Sequence, residues 1–338
     1  TMQKLVVEEV TEEEFASIKE NLVGHFTILG KPMIEVRLFS TDAHIYLLIN
    51  FHHVIMDGSS MQIIFKSLAL AFAGEELELD TYFSYLEDEQ EQLNSNSLRE
   101  AKQYYDEQFE GVEWNRNIEP DKDEEGNINA TYIIPTNMTP DKMKKVETQI
   151  SKNGFVVAAS LLALARLNKN NEAIVTFTFH NRTDERKMHA GGLLSRTIPI
   201  GIDLSMIPTV KSLYDEVQRQ SVKGIATCSY DWIMENENAF VDDVFPVVYE
   251  TSDITGMGFL SKLGASMEPL DSHNKAALRR TMLQVFETPE SISVMLSYMS
   301  TIYSVDRIEE FGREFAYVVN KLLLVESPEN ARLVELLE

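Results

Sequence analysis

Seven consecutive residues, Ile45-Tyr46-Leu47-Leu48-Ile49-Asn50-Phe51, are apolar at all but one position and run directly into His52-His53-Val54-Ile55-Met56-Asp57-Gly58. A short, nearly continuous apolar run predicts a strand with both faces covered, as in the middle of an α/β sheet. Residues 33–39 form a second β-rich run, and Ser40-Thr41-Asp42-Ala43 between the two reads as a hairpin turn. Beyond the polar loop, Met61, Ile64, Phe65, Leu68 and Phe72 recur at helical spacing from residue 59. Ser59 or Ser60 is a suitable N-cap, and Gly74 supplies the stop. Strand, loop and helix in immediate succession point to an α/β chain.

The remainder supports that class. Residues 82–109 read as a polar helical stretch, and 110–129 lose all periodicity around an acidic segment, Glu119 to Gly126. That segment is the best linker, which predicts a boundary near residue 128 and two domains, 1–128 and 129–338. In the second half, 130–134 reads as a strand. Residues 139–152 read as a helix opened by Thr-Pro-Asp, and 155–167 as a buried helix. Strands are expected at 173–179, 196–202, 244–250 and 291–298, with an amphipathic helix at 307–325.

Charge and cysteine usage narrow the function. Acidic residues outnumber basic ones by 54 to 30, a net charge of -24, which repels nucleic acid and anionic membrane. The single cysteine, Cys228, excludes an intrachain disulfide and a thiolate-rich zinc site. The longest apolar stretch, 155–167, is shorter than the roughly 20 residues a membrane helix needs. No signal peptide is visible, and a cytoplasmic protein is expected.

The loop at 52–58 holds the candidate chemistry. Side chains alternate on an extended backbone, so His52 and His53 should face opposite ways, which disfavours joint metal chelation. His53 shares a face with Phe51 and is the better candidate for a cleft. The bland alternative is two core histidines bonded to backbone carbonyls. Asp57 either caps the following helix or is buried and needs a cation. Gly58 allows a positive φ or close approach of a ligand. Arg182, after the strand at 173–179, is the most attractive partner for Asp57, because a planar guanidinium suits a buried carboxylate. The alternative is a solvated arginine in the polar loop Asp184-Glu185-Arg186-Lys187.

His52 to Gly58 resembles the HHxxxDG signature of condensation domains of nonribosomal peptide synthetases, within the chloramphenicol-acetyltransferase-like superfamily. Tyr82-Phe83-Ser84-Tyr85 resembles the family's later aromatic motif, and Asn181-Arg182 its Gly-Arg pair. Gly192-Leu193-Leu194-Ser195-Arg196-Thr197-Ile198-Pro199-Ile200 resembles GFFVNTLPL, with Arg196 where asparagine is usual. The two earliest family motifs have no counterpart, so part of the N-terminal lobe is expected to be missing.

The resemblance implies two such lobes in a V-shaped pseudo-dimer and an acyltransferase that joins a carrier-bound amine to a carrier-bound thioester. His53 would be the catalytic residue, as base or as positioner. His52 would pack inward, and Asp57 would pair with Arg182 across to the C-terminal lobe. Gly58 would admit the thioester, and Arg196 is the acceptor-pocket candidate. It further implies no directly bound cofactor or metal, with substrates on phosphopantetheine of donor and acceptor carrier proteins. A neighbouring adenylation domain is expected after the tail at 327–338. The alternatives are an epimerization domain, a non-catalytic docking module or a stand-alone acyltransferase.

Overall fold

The computed structural model describes residues 5–19, 21–24, 26–235, 244–251, 264–266, 268, 270 and 279–337. They fall into two compact units. The first comprises the described residues up to Phe83, Arg182–Leu194 and those between 264 and 270. The second comprises Ser84–Asn181 and the described residues from Ser195 onward outside that last group. Residue 128 lies inside the second unit, and the chain passes between units at Phe83/Ser84, Asn181/Arg182 and Leu194/Ser195.

The first unit is built on the expected hairpin. β1 (Val7–Glu9) runs parallel to β2 (Ile34–Ser40), which pairs antiparallel with β3 (Ile45–Phe51). α1 (Glu12–Lys19) covers one face, where Phe15 packs on Phe39 and stacks on Tyr46. The expectation that β3 is covered on both faces is not met. Among the described residues it pairs only with β2, and Ile45 and Leu47, which point away from α1, are 74% and 42% exposed. Apolar composition reported strand formation correctly and misreported the number of covering layers.

α2 (Gly58–Ala73) follows the loop and ends at Gly74, whose φ of 71° is the left-handed stop its sequence promised. The predicted helix at 82–109 is two helices, α3 (Tyr82–Leu93) and α4 (Asn96–Phe109), broken at Asn94-Ser95. Asparagine and serine compete for the backbone with their own side chains, as Ser95 Oγ does by donating to Gln92 O.

The second unit is a six-stranded sheet in the order β4-β9-β8-β7-β5-β6. Its strands are β4 (Asn129–Ile133), β5 (Glu172–Phe179), β6 (Arg196–Asp203), β7 (Phe245–Thr251), β8 (Thr281–Glu287) and β9 (Ile292–Met299). The helix predicted from residue 139 stops early, as α5 (Pro140–Val146), with Thr139 capping Lys142 N–H. α6 (Lys152–Asn168) then begins from its own cap, Ser151. All but four of its 17 residues are buried, as its mostly apolar run at 155–167 requires.

α6 lies in the main core with Val175, Phe177, Phe245, Val247, Leu283 and Leu296 of the sheet. After the short α7 (Glu185–Met188), two long helices flank α6: α8 (Val210–Ala226) and α10 (Val305–Leu322). α9 (Trp232–Glu235) contributes Trp232 to a smaller aromatic cluster with Tyr105 and Phe109. The tail is docked: α11 (Val334–Leu337) buries Leu336, and Arg166 Nη1 donates to the Leu336 carbonyl at 2.9 Å. No helix among the described residues is long and apolar enough to cross a membrane.

Asn181 is buried with φ 54°, one of two non-glycine residues in the left-handed region among those described. Asparagine tolerates that region better than other side chains, because its short amide bonds locally. The turn therefore accepts Asn181 in a backbone conformation that otherwise favours glycine.

Candidate active site

The histidine loop is shaped by a short helical turn. β3 ends at Phe51, His52 is extended (φ -80°, ψ 133°), and His53–Ile55 form a single 3-10 turn. Strand alternation thus stops at His52. His52 is half-buried: its Nδ1 accepts from Val54 N–H at 3.0 Å, and its ring meets Phe26 edge-on at 6.3 Å. The acceptor role requires a neutral Nδ1, so the backbone of the turn selects the tautomer of His52. His53 is exposed at the start of that turn. One imidazole is part of the scaffold and the other is presented by it.

Asp57 answers both sequence readings together. It is the N-cap of α2, with Oδ1 accepting from Ser60 N–H at 2.9 Å. Oδ2 accepts from Arg182 Nη1 and from Leu194 N–H, each at 2.9 Å. The Asp57 and Arg182 side chains are only 6% and 7% exposed, which removes the reading of Arg182 as a solvated arginine. Burial alone would raise the Asp57 pKa. The Arg182 hydrogen bond and charge, with the Leu194 and Ser60 N–H groups, outweigh it and hold the carboxyl below its ordinary range.

Arg182 Nη2 donates to Ser60 Oγ at 2.9 Å and to the carbonyls of Gly192 at 3.1 Å and Ala190 at 3.2 Å. Ser60 Oγ donates to Gly192 O at 2.6 Å. The pair was expected to reach across to the other lobe. Contacts instead place Arg182–Leu194 in the unit that contains Asp57, so the clasp ties a returning segment into the first unit.

A strap from Asp80 to Tyr82 secures the same segment. Gly191 N–H donates to Asp80 Oδ1 at 3.2 Å, and the Tyr82 ring lies against Gly192 so closely that a Cβ there would overlap it. Gly192→Ala is therefore expected to cost about 1–3 kcal/mol, as overpacking does. Urea unfolding measures it, and an unchanged midpoint would mean that the ring is not seated on the glycine. Gly58, by contrast, is the first residue of α2 and is absent from the left-handed region. Of its two suggested roles, only close approach of a ligand survives.

Arg196 stands apart from this cluster, in the second unit. Its Nη2 donates to Tyr85 Oη at 2.8 Å and forms an ion pair with Glu89. Burial pushes the Tyr85 hydroxyl well above its usual range, so it stays neutral and donates to Glu89 Oε1 at 2.8 Å. Sequence reasoning missed Asp80, Glu89 and the backbone groups of 190–194, named Tyr82 only within the aromatic motif, and offered Ser60 as the N-cap that is in fact Asp57. Ser60 carried a local signal, three residues after a capping aspartate.

A family model for the condensation domain matches residues 2–331. The chain belongs to the condensation-domain family. Bacitracin synthase 3 of Bacillus licheniformis is 23% identical to this condensation domain over 321 residues, covering 84% of the chain and 5% of the synthase. Gramicidin S synthase 2 of Brevibacillus brevis is 21% identical over 339 residues, covering 95% of the chain and 8% of the synthase. The condensation domain thus spans less than a tenth of the length of these curated relatives.

Solved structures of like fold include the X-domain from teicoplanin biosynthesis, with a TM-score of 0.74 and 17% identity over 98% of this chain and 80% of that one. Another is the condensation domain of the Monacolin K polyketide synthase MokA, with a TM-score of 0.69 and 14% identity over 97% of this chain and 80% of that one. At these identities the likeness concerns the fold. The mixed α/β architecture expected from sequence, with its two sheets, is that of this family.

Proposed function

We propose that this chain is the condensation domain of a nonribosomal peptide synthetase, which forms an amide from two carrier-bound substrates, with His53 as the catalytic residue. The observation that carries the reading is the exposed His53 on a turn clamped at both ends. His52 is bonded to the turn on one side, and the buried Asp57–Arg182 pair fixes the start of α2 on the other. Such support is what holds a catalytic group to the tolerance chemistry needs.

In the proposed reaction the acceptor's α-amine attacks the donor thioester carbonyl. The C–N bond forms, the C–S bond breaks, and the amine proton is passed on as the donor's pantetheine sulfur leaves as thiol. The His53 imidazole accepts a hydrogen bond from the amine N–H and aims the lone pair, and either it or a neighbouring base takes the proton as the bond forms. An α-amine has an unperturbed pKa near 8, so a sizeable neutral fraction is present at neutral pH. Gly58, next to the loop and without a side chain, leaves room for the thioester. Arg196, fixed by Glu89 and Tyr85, is assigned to the acceptor pocket as a wall of constant charge.

The partners under this reading are a donor and an acceptor carrier protein, each bearing phosphopantetheine, and a neighbouring adenylation domain. The test is mass spectrometry of two loaded carriers incubated with the chain. Transfer of the donor acyl group onto the acceptor carrier supports the reading. Unchanged carrier masses with an inverted stereocentre would replace it with epimerization.

A further inference from the structure

The sheet of the second unit has two unlike faces. One carries Val175, Phe177, Phe245, Val247, Leu283, Val285, Leu296 and Val294, all in the main core. The other, across β7, β8 and β9, carries Val248, Glu250, Met282, Gln284, Phe286, Ser293, Met295 and Ser297 by strand alternation and register. Every one of these is half-buried except Ser293, which is exposed. Glu250 is the sole ionisable side chain on that part of the face. It stands level with Phe286, which stands level with Ser293.

The neighbouring carboxylate on the core face shows what this fold does with a buried acid. Glu287 receives Lys152 Nζ at 2.8 Å and Tyr249 Oη at 2.8 Å. No cation and no hydrogen-bond donor among the described residues reaches Glu250. Burial beside Val248 and Phe286 pushes its carboxyl upward, with no opposing partner among the described residues. A half-buried carboxylate left in that condition is unfavourable unless something else supplies the cation.

Its position points to a ligand. β5, β7 and β8 are parallel neighbours, and Glu250 lies near the carboxyl end of β7. The carboxyl ends of parallel strands are where open α/β sheets bind ligands. The pairing of β5 with β7 ends at Phe177↔Val247, so Glu250 lies three residues past it on the β7 side while still level with Phe286 of β8.

We propose that Glu250 is a substrate-binding residue that receives an alkylammonium group of the carrier-bound acceptor. Two sources share that chemistry, the acceptor's α-amine and a basic side chain. The proposal deepens the condensation reading and rests on it for the carrier-bound form of the ligand. The half-buried setting weakens solvent screening of the pair, which gives a single carboxylate discrimination between an ammonium and an apolar group.

The test measures binding as well as turnover. Lysyl-, norleucyl- and N-acetylnorleucyl-pantetheine amides are titrated into the chain and into Glu250→Gln by calorimetry. The expected result is at least a tenfold loss of affinity in the variant for one or both of the first two, with the third unchanged. Loss for lysyl alone assigns the side-chain amine, and loss for both assigns the α-amine. The thermal midpoint of Glu250→Gln is expected not to fall, because a neutral amide removes an uncompensated charge. Equal affinities of wild type and variant for all three probes would overturn the proposal, as would a lowered midpoint, which would reveal a structural partner. Loaded carriers that never condense, alongside a Glu250-dependent affinity, would remove the reaction and leave this inference standing.

Discussion

Asp57→Ala is expected to destabilise the chain by about 3–5 kcal/mol, the range for removing one partner of a buried ion pair. The magnitude follows from what is left behind. Arg182 would keep its charge in a site where its side chain is 7% exposed, without the Asp57 carboxylate, while Ser60 Oγ and the Ala190 and Gly192 carbonyls still accept from it. Leu194 N–H and Ser60 N–H would each lose an acceptor, and α2 would lose its cap, a change worth about 1 kcal/mol in itself. Denaturant unfolding reads the sum. Within 1 kcal/mol of the parent, the clasp would not be the anchor described here. Asp57→Asn separates the contributions, because the amide oxygen can still cap α2 while the charge is gone.

The same pair sets a direction for pH. The folded-state pKa of Asp57 lies below its unfolded value, so its contribution is complete above that unfolded value, near 4. It is lost as pH falls through the folded pKa. The stability gap between wild type and Asp57→Ala should therefore be constant at neutral pH and narrow in acid. A gap that stayed level down to denaturation would deny the carboxylate its charge in the folded chain.

Local pattern disclosed the elements whose burial is one-sided or complete, and long-range pairing was largely hidden. The hairpin, α2 with its glycine stop, and the largely buried α6 could be read directly, because period and composition agreed over many residues. β8 was not foreseen. Thr281-Met282-Leu283-Gln284-Val285-Phe286-Glu287 carries apolar residues on both faces, and both its end residues are polar yet buried. α8 was missed as well, in part because its core stripe includes Gln220, which is buried by two hydrogen bonds to the Gly201 backbone.

At the site, Asp57 and His53 stood out in the linear motif. Besides Asp57, Arg182 donates to the backbone carbonyls of Ala190 and Gly192 and to a serine hydroxyl, and sequence patterns do not record backbone groups. Nor does a pattern record that a helical turn begins at His53. Alternation alone would have aimed the ring by the strand, whereas its exposure comes from the turn.

His53→Ala is expected to lower the rate of amide formation between loaded carriers by about 10²–10⁴-fold, the usual range for a positioned acid–base group. Stability should stay within about 0.5 kcal/mol, because the ring is exposed and the turn is secured by His52 and Asp57 instead. That combination, a large kinetic loss on an undisturbed fold, is what distinguishes a catalytic side chain from a structural one in the same motif. His52→Ala should behave oppositely in part, since it removes an acceptor for Val54 N–H and loosens the turn that carries His53. The pH profile then divides the two roles left to His53. If the imidazole takes the proton, the variant loses a titration present in the parent. If it only aims the amine, both proteins follow the amine's own ionisation, and the deficit is the same at every pH. A His53→Ala chain that condenses carriers at the parental rate would transfer the chemistry to another group. Arg196 is tied up by Glu89 and could not serve as base, which would leave the bound amine's own neutral fraction to do the work.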